Sequence, residues 1–449
     1  MYTRFVSGAL FPLHERLKGH STVAVLGELE KSQFLPRPAL DDLQAARLRR
    51  LIEQAATRVP YYQALFAERG IDWRGIGRPA DLTAVPLLTK AEIRRAGDSL
   101  RSVGHGPLTS GTTSGSTGES LKFYLGRERI SHDVAGRWRA TRWWGVDFGD
   151  PEVVFWASPI EAGAQDRWRQ LRDRLLRSHF IDARDLSDDR VEAIFRRMQA
   201  VDPLMIYGYT SAIARLAGYA QKRGLGIRLP RLRVVFVTAA KLMQDQRQRI
   251  GEVFNAPVAD CYGGRDAGIV SNECPHGGMH ISEEDVVVEI VDDAGNVLPP
   301  GQLGEIVVTH LASSEFPFIR YRTGDRGMLG DTVCGCGRQL RKLLSIEGRM
   351  NDLLVGPQGR VMHHTGISNL LKDVAGLVNY KVVQEAEDFI RVQIVSTQQL
   401  SASDRERIDG SLKAQLGAGM RAEIERVADI QPEASGKHRY IVNRVRQPA

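Results

Sequence analysis

Residues 110–120 read SGTTSGSTGES, and this hydroxyl-rich loop separates two parts of the chain with different patterns. Before the loop, apolar residues over 41–70 recur at near-helical spacing, with Pro60 marking a break between two helices. After it, strand-like apolar runs alternate with amphipathic helical stretches. The runs span 153–156, 204–207, 234–237 and 258–262, and the helical stretches include 188–199 and 244–254. This alternation predicts an α/β layered domain.

The pattern changes again further along the chain. Two alternating runs, 286–291 and 304–308, are joined by a turn-forming segment and predict antiparallel strands within a β-rich segment over 270–345. Past residue 350, strand and helix signals restart for about 100 residues, enough for a small α+β domain. We therefore predict an N-terminal domain over 1–350 and a C-terminal domain over 351–449.

Composition and charge exclude several classes of protein. The 449 residues are 42% hydrophobic and 26% charged, as in ordinary globular proteins. The net charge of +7 is scattered rather than gathered in a stripe, which favours a solvated basic surface over nucleic-acid binding. Four cysteines cannot form a disulfide framework in so long a chain, so a cytoplasmic location is predicted. No apolar run reaches the roughly 18 residues that span a bilayer, and no signal peptide is recognised.

The N-terminal segment leaves two interpretations open. Phe5, Leu10, Phe11 and Leu17 could dock on a membrane surface as one amphipathic face. Packing of these side chains against the body of the protein is the commoner outcome for such a segment.

The loop itself carries residue types that suit phosphate binding. Backbone N–H groups of small residues can approach an anion closely, and the hydroxyl groups can bond phosphate oxygens. The residues concerned are Thr113, Ser114, Gly115, Ser116, Thr117 and Gly118. Alone, such a loop is more often a flexible connection, and the Gly-Lys-Ser/Thr ending of a Walker loop is missing.

Four further motifs follow the loop in order and change this balance. They are Tyr262-Gly263-Gly264-Arg265-Asp266, Tyr321-Arg322-Thr323-Gly324-Asp325, Gly348-Arg349 and Ser435-Gly436-Lys437. Taken together, they resemble the adenylate-forming superfamily, in particular its phenylacetate-CoA ligase branch, which includes members associated with capsular polysaccharide synthesis. The resemblance covers about residues 41–445. It implies a large ATP- and acyl-binding adenylation domain and a small mobile C-terminal lid, with a hinge near Asn351.

The resemblance also implies roles for individual residues. The loop from Thr113 to Gly118 would hold the β- and γ-phosphates of ATP, and Lys437 would bridge the substrate carboxylate and the α-phosphate. The remaining nucleotide contacts would come from Tyr262 and Gly263 beside the adenine, Ala239 and Ala240 in the adenine-facing segment, and Asp325 with Arg349 at the ribose.

Elementary chemistry agrees with two of these roles. Attack of a carboxylate on the α-phosphate brings two anions together, so a cation such as Lys437 must reach both. A carboxylate such as Asp325 can accept the protons of two neighbouring hydroxyl groups. Taken singly, Asp325 could be a turn cap, Tyr262 a core residue and Lys437 a solvated surface residue.

Two residues depart from the pattern of the superfamily, which usually has a hydroxyl residue and a Glu where Arg265 and Asp266 stand. Asp266 can still bind Mg²⁺ through oxygen, although its shorter reach can require an intervening water. Arg265 places a positive charge beside the phosphates, where a catalytic role is predicted. It could instead bind an anionic acyl substrate or mark weakened chemistry.

A second group of residues suits a structural Zn²⁺ ion. Cys334 and Cys336, with the distant Cys274 and His280, supply the thiolate and imidazole ligands of a four-coordinate site. His276 could replace His280, and free buried thiols are the alternative. Cys261, within an apolar strand, is interpreted as a core residue.

The acyl pocket is less clearly defined by the sequence. Trp143, Trp156, Tyr207 and Tyr209 lie in segments that border the carboxylate substrate in the superfamily, and aromatic walls suit a planar acid. These side chains could equally be packing residues.

We therefore expect an AMP-forming acid–CoA ligase that uses ATP, Mg²⁺ and CoA. Its partners are a small carboxylic acid and CoA, with a homodimer possible and no nucleic acid. An amine, a sugar or a carrier protein as acceptor is the first alternative. The second is a non-catalytic nucleotide-binding partner in polysaccharide biosynthesis.

Overall fold

The computed structural model describes residues 1–113, 121–156, 167–183, 186, 188–349, 354–362, 364–371, 373–431, 433 and 438–445. The α-helices are α1 (Tyr2–Phe5), α2 (Phe11–Leu17), α3 (Thr22–Ser32), α4 (Arg37–Arg58), α5 (Pro60–Arg69), α6 (Lys90–Ala96), α7 (Arg127–Trp143), α8 (Arg167–Leu176), α9 (Asp188–Val201), α10 (Thr210–Arg223), α11 (Gln244–Phe254), α12 (His364–Leu371) and α13 (Ala402–Leu416).

The strands are β1 (Thr109–Thr112), β2 (Lys122–Leu125), β3 (Glu152–Trp156), β4 (Ser178–Asp182), β5 (Met205–Tyr209), β6 (Val234–Thr238), β7 (Val258–Gly264), β8 (Gly268–Glu273), β9 (Met279–Ile281), β10 (Val286–Val291), β11 (Leu303–His310), β12 (Tyr321–Gly330), β13 (Lys342–Arg349), β14 (Leu354–Val355), β15 (Val361–Met362), β16 (Leu377–Ala386), β17 (Phe389–Ser396), β18 (Arg421–Arg426) and β19 (Ile441–Asn443). The predicted mixed α/β fold with a separate C-terminal sheet is confirmed.

The chain forms two compact units, each built from two separate stretches of sequence. The first comprises Met1–Asp150 and Ala259–Ile346, and the second comprises Pro151–Val258 and Glu347–Ala449. One boundary, between Ile346 and Glu347, lies close to the domain division predicted at residue 350, which stays a prediction.

The sheet of the first unit is antiparallel wherever its pairing is defined. Its strands follow the order β10-β11-β12-β13-β9-β8-β7. The predicted helical opening is confirmed, because α4 ends at Arg58 and Pro60 begins α5. A capping box begins α6: Thr89 Oγ1 accepts from the Glu92 N–H at 3.1 Å, and the Glu92 carboxylate accepts from the Thr89 N–H at 2.7 Å.

The N-terminal segment of the first unit is helical from Tyr2 to Leu17, with a π-helical turn over Val6–Leu10. Phe11 is buried and stacks on Phe148 with ring centroids 3.6 Å apart. Phe5 and Leu17 are exposed. The segment therefore packs against the protein through one face only. Across the described residues, no helix is both long and apolar enough to cross a membrane.

The second unit contains two sheets with their own cores. Strands β6, β5, β3 and β4 lie side by side in that order and are parallel in the pairs β6/β5, β5/β3 and β3/β4. Strand β5, one of the two inner strands of these four, is fully buried, as expected for a parallel sheet covered by helices. The C-terminal sheet has the order β18-β17-β16-β19 and packs with α12 and α13 around a separate apolar core.

Candidate active site and metal centre

Two of the predicted nucleotide contacts are hydrogen-bonded to each other in the first unit. Tyr262 lies near the end of β7, and Asp325 lies in β12. The Tyr262 hydroxyl donates to Asp325 Oδ2 at 3.0 Å. Burial first, and the Asp325 charge second, raise the pKa of Tyr262 well above its ordinary value, so this hydroxyl stays a donor. The pair brings together an aromatic ring, which suits contact with an adenine base, and a carboxylate, which suits contact with ribose hydroxyls.

Asp266 lies in the turn between β7 and β8, and its carboxylate is held by protein donors. Its Oδ2 accepts from the Tyr321 hydroxyl at 2.6 Å, and its Oδ1 accepts from the Ala267 N–H at 3.1 Å. Tyr321 is fully buried. Each carboxylate oxygen keeps a second lone pair, and Mg²⁺ in phosphate-transfer sites needs only one or two carboxylates beside phosphates and waters. Asp266 therefore fits a Mg²⁺ ligand.

A buried ionic group fixes the same turn from behind. Arg129 Nη2 donates to the Asp266 carbonyl at 3.2 Å, and Arg129 Nε donates to Asp133 Oδ2 at 2.8 Å. Asp133 Oδ1 accepts from the Ile269 N–H at 3.3 Å. Burial alone would raise the pKa of Asp133, but the Arg129 charge holds it well below its usual range. The turn that carries Asp266 is thus held at both ends.

The four residues favoured for zinc converge in one cluster, which we call the thiol cluster: Cys274, His280, Cys334 and Cys336. One ligand atom from each lies within 4.8 Å of the others, and all but Cys336 are buried. Cys274 follows β8, His280 lies in β9, and the other two belong to the loop before β13. His276 is exposed and lies outside the cluster.

The distances in the thiol cluster fit a tetrahedral zinc ion. Two Zn–S bonds of about 2.3 Å at a tetrahedral angle separate the sulfurs by about 3.8 Å, and the Sγ atoms of Cys274 and Cys334 are 3.7 Å apart. His280 Nδ1 lies 3.0 Å from the Leu340 carbonyl, so it is the donor there and Nε2 is left as the ligand atom. That Nε2 lies 3.2 Å from Cys336 Sγ.

The four predicted pocket aromatics divide into two places. In the second unit, the Trp156 ring centroid lies 6.2 Å from that of Tyr207 and 4.4 Å from that of Tyr209. Trp156 Nε1 is buried and has no hydrogen-bond partner among the described residues. Trp143 belongs to the first unit, where its ring lies 5.7 Å from His280 at a steep angle. It covers the thiol cluster.

Three predicted site segments meet at one edge of the parallel sheet in the second unit. Trp156, Tyr209 and Thr238 end the strands β3, β5 and β6, and the register places Tyr209 opposite Thr238. Ala239 and Ala240 follow directly, with Ala239 in the left-handed region at φ 71°. Ligands of open parallel sheets bind at the carboxyl ends of the strands. This carboxyl edge is therefore the candidate acyl and adenine site of the second unit.

The C-terminal segment of the second unit is attached to α10 and α11 mainly by polar contacts. Arg249 donates to the Val378 and Leu377 carbonyls at 2.9 Å each, and Arg215 pairs with Asp429 at 2.7 Å. His438, next to the predicted catalytic Lys437, is buried and donates through its N–H to Ser211 Oγ at 3.3 Å. The contacts surround a cavity lined by Asp245, Tyr380, His438 and Tyr440.

The comparisons with known proteins agree with this architecture. Residues 354–444 match the family model of the CapK C-terminal domain. A phenylacetate-coenzyme A ligase of Thermus thermophilus is 27% identical over 79% of this chain and 80% of its own length. Protein CapK of Staphylococcus aureus is 23% identical over 91% of this chain and 90% of its own length.

A solved structure of 2-hydroxyisobutyryl-CoA ligase, in the postadenylation state with 2-HIB-AMP, covers 92% of both chains with a TM-score of 0.76 at 22% identity. The chain has the fold of the adenylate-forming acyl-CoA ligases. The resemblance predicted from the motifs is confirmed: the relatives are phenylacetate-CoA ligases and CapK.

Several residues of the predicted site lie outside the described residues: Ser114, Gly115, Ser116, Thr117, Gly118, Asn351 and Lys437. Thr113 lies at the base of their loop, where its N–H donates to the Leu121 carbonyl at 2.9 Å. Gly263 lies in β7, Arg265 in the following turn, and Arg349 ends β13. Their roles toward ATP stay predictions.

Three positioning residues were missed by the sequence reasoning. Tyr321 was read only as part of a motif, although its hydroxyl holds Asp266. Arg129 and Asp133 fix the turn around Asp266, and their spacing of four residues on one helix was a detectable signal of an ion pair.

Proposed function

We propose that this protein activates a carboxylic acid with ATP and then transfers the acyl group to CoA. In the first step a carboxylate oxygen attacks the α-phosphorus, and the bond to pyrophosphate breaks. In the second step the thiolate of CoA attacks the acyl carbonyl carbon, and AMP leaves. The observation that carries the proposal is the convergence of Trp156, Tyr209, Ala239 and Ala240 at one carboxyl edge of a parallel sheet.

The ionic residues of the first unit support the adenylation step. Asp325 accepts from the ribose hydroxyls, and the Tyr262 hydroxyl, which donates to it, orients its carboxylate. Mg²⁺, when bound at Asp266, would offset the charge of the phosphates. The Tyr321 hydroxyl and the Ala267 N–H hold the Asp266 carboxylate in one orientation, which avoids a search among rotamers during the reaction. Arg265 and Lys437 supply the positive charge for the reacting phosphate.

The aromatic residues of the second unit support a planar or aryl acid as substrate. Trp156, Tyr207 and Tyr209 provide flat apolar surface. The buried indole N–H of Trp156 favours an acid with a hydrogen-bond acceptor on its acyl group, because a buried donor without a partner costs free energy until a ligand satisfies it.

We also propose a structural zinc ion in the thiol cluster. With four protein ligands the ion has no open position for water or substrate, so it stabilises the β-rich segment and takes no part in catalysis. Metal analysis of the purified protein by mass spectrometry should find about one zinc per chain.

A second candidate function keeps the first step and uses an amine, a sugar or a carrier protein as acceptor. This candidate is retained because the chain also matches Protein CapK over 91% of its length, so its long matches include a protein that is not named as a CoA ligase.

The deciding experiment supplies ATP, Mg²⁺ and pooled aryl, fatty and hydroxy acids, with and without CoA, and identifies the products by mass spectrometry. We expect acyl-CoA together with AMP and pyrophosphate. Acyl-AMP that persists in the presence of CoA would favour the second candidate. Both candidate functions would be contradicted if the protein binds ATP but activates none of the acids, and if the variant Asp266→Glu activates none either.

Lys437→Ala tests the predicted catalytic residue in the same assay. Adenylation should fall by at least about a hundredfold, because the variant lacks the cation that reaches both anions. Lys413→Ala, which removes a lysine from a surface ion pair of the same domain, is the matched control. Equal activity of the two variants would remove Lys437 from the mechanism.

A further inference from the structure

The N-terminal helical segment presents large apolar side chains to solvent along one face. Tyr2, Phe5, Leu13 and Leu17 are 41%, 57%, 56% and 80% exposed. We call this face, from Tyr2 to Leu17, the apolar stripe. The residues follow one another at three-, eight- and four-residue intervals, and Ala9, which is also exposed, lies between Phe5 and Leu13.

The exposure is not that of a loose end, because the opposite face is anchored. Val6 is fully buried against Gly149, and Phe11 stacks on Phe148. Thr3 Oγ1 donates to Asp150 at 2.8 Å. The segment is thus folded on the first unit with its apolar stripe directed away from it.

The π-helical turn explains how both faces persist along the segment. The Phe11 N–H bonds to the Val6 carbonyl, five residues back, so the wide turn adds one residue to the helix. Val6 and Phe11, five residues apart, therefore share the buried face, and Phe5 and Leu13 share the other. Without the extra residue, helical spacing would rotate Leu13 away from Phe5 by about one position.

The exposed charged side chains of this segment are all positive. Arg4, Arg16 and Lys18 are exposed. The sole acidic residue among residues 1–27 is Glu15, which is buried and accepts from Thr22 Oγ1 at 2.5 Å. An apolar helix face flanked by exposed cations is the arrangement that lies in the interface of an anionic lipid bilayer.

We propose that the apolar stripe docks the protein on the surface of an anionic membrane. Phe5, Leu13 and Leu17 enter the boundary between headgroups and acyl chains, and the three cations pair with lipid phosphates. A second copy of the chain fits the stripe less well. A two-fold dimer brings the same patch of both copies together, and the cations of each would then face those of the other. The proposal does not depend on the enzymatic function.

Flotation of the full-length protein with phosphatidylcholine vesicles, with and without phosphatidylglycerol, tests the proposal. Binding should require phosphatidylglycerol and weaken as salt is added. The triple variant Phe5→Ser, Leu13→Ser and Leu17→Ser should lower the bound fraction by at least about tenfold, since these side chains supply most of the inserted apolar area. The variant Arg4→Gln, Arg16→Gln and Lys18→Gln should remove the dependence on phosphatidylglycerol and on salt.

The matched control replaces exposed apolar residues elsewhere in the first unit, Val103→Ser with Val297→Ser, and should bind vesicles as the unchanged protein does. Melting curves should stay within about 2 °C for all variants because the replaced side chains are exposed. Vesicle binding that survives the triple serine change would overturn the proposal. The proposal would also be overturned if the protein did not bind vesicles but formed a dimer, seen by light scattering, that the triple change converts to a monomer.

Discussion

The ionisable side chains of the two units are held in different ways. In the first unit, Asp266 and Asp325 accept hydrogen bonds from tyrosine hydroxyls, and the thiol cluster brings together ligands from three segments of sequence. In the second unit, the segment next to Lys437 is held in part by an ion pair between Arg215 and Asp429, which are 12% and 30% exposed.

This difference has an energetic meaning. A buried hydrogen-bonded group is costly to displace, whereas a partly exposed ion pair exchanges with water for about 1 kcal/mol or less. The first unit therefore holds these ionisable groups in a fixed geometry. In the second unit, the ion pair between Arg215 and Asp429 can be broken and remade at a smaller cost.

The largest effect is expected from breaking the thiol cluster. Cys334→Ser should abolish zinc binding and lower the melting temperature by about 10 °C or more, because a structural zinc ion contributes several kcal/mol to folding. Calorimetry and metal analysis measure both effects. Cys261→Ala, which alters a buried thiol outside the cluster, should keep its zinc. A Cys334→Ser protein with full zinc content would refute the proposed centre.

The next effect concerns the fixed carboxylate of the nucleotide motif. Asp325→Asn should raise the KM for ATP by about tenfold to a hundredfold, since the amide accepts hydrogen bonds less strongly than a carboxylate does. Steady-state pyrophosphate release measures the change. Asp331→Asn, an exposed carboxylate just past the end of β12, is the control. The role of Asp325 at the ribose is wrong if the two variants have the same KM.

A smaller effect concerns pH and the second unit. Burial lowers the pKa of His438 to about 4 in the folded protein, against an ordinary value of 6.5. Below pH 6.5 the histidine of the unfolded chain binds a proton, whereas the buried histidine of the folded protein does not. Lowering the pH from 7 to 5 should therefore reduce the free energy of unfolding by about 2 kcal/mol through this group. Urea unfolding at both pH values measures the loss.

The variant His438→Gln isolates the contribution of this histidine. Its amide can donate to the Tyr380 carbonyl, as His438 Nε2 does at 2.9 Å, but cannot take up a proton. The loss of stability between pH 7 and 5 should shrink by about 2 kcal/mol in the variant. An unchanged difference would show that His438 is not held neutral in the folded state.

The smallest effect is expected at the ion pair between Arg215 and Asp429 in the second unit. Asp429→Asn should increase local opening of the C-terminal segment about threefold, as measured by hydrogen exchange, with almost no change in melting temperature. Glu423→Gln, which weakens a surface pair with Arg391 within the C-terminal sheet, should leave that opening unchanged. A large fall in melting temperature for Asp429→Asn would contradict the distinction between the two units.

Much of the fold could be predicted because local signals agree with the tertiary structure. Pro60 separates α4 from α5, Thr89 and Glu92 cap α6, and the apolar runs became β3, β5, β6 and β7. The thiol cluster could be predicted from residue type, since Cys334 and Cys336 with a distant Cys and His supply the thiolate and imidazole ligands of a structural zinc site. Choosing His280 over His276 required the fold, because only the pairing of β8 with β9 turns His280 inward.

Other features depend on contacts that no local pattern encodes. The hydrogen bond from Tyr321 to Asp266 joins residues 55 positions apart. Trp143 was placed in the acyl pocket because its segment borders the substrate in the superfamily, with packing as the alternative, and its ring lies against His280. At the N-terminus, a 3.6-residue period cannot anticipate a π-helical turn, so Phe11 was grouped with Phe5 although it faces the opposite way.

The interrupted sequence of the first unit has a consequence for synthesis. Its strands β7 to β12 are translated only after residues 151–258, which belong to the other unit. At about 5–20 residues per second, these hundred or so residues take the ribosome about 5 to 20 s. During that interval the apolar faces of α4 and α5 lack the sheet that covers them in the finished protein. The nascent chain therefore exposes apolar surface, which favours aggregation, when about half of it has been made.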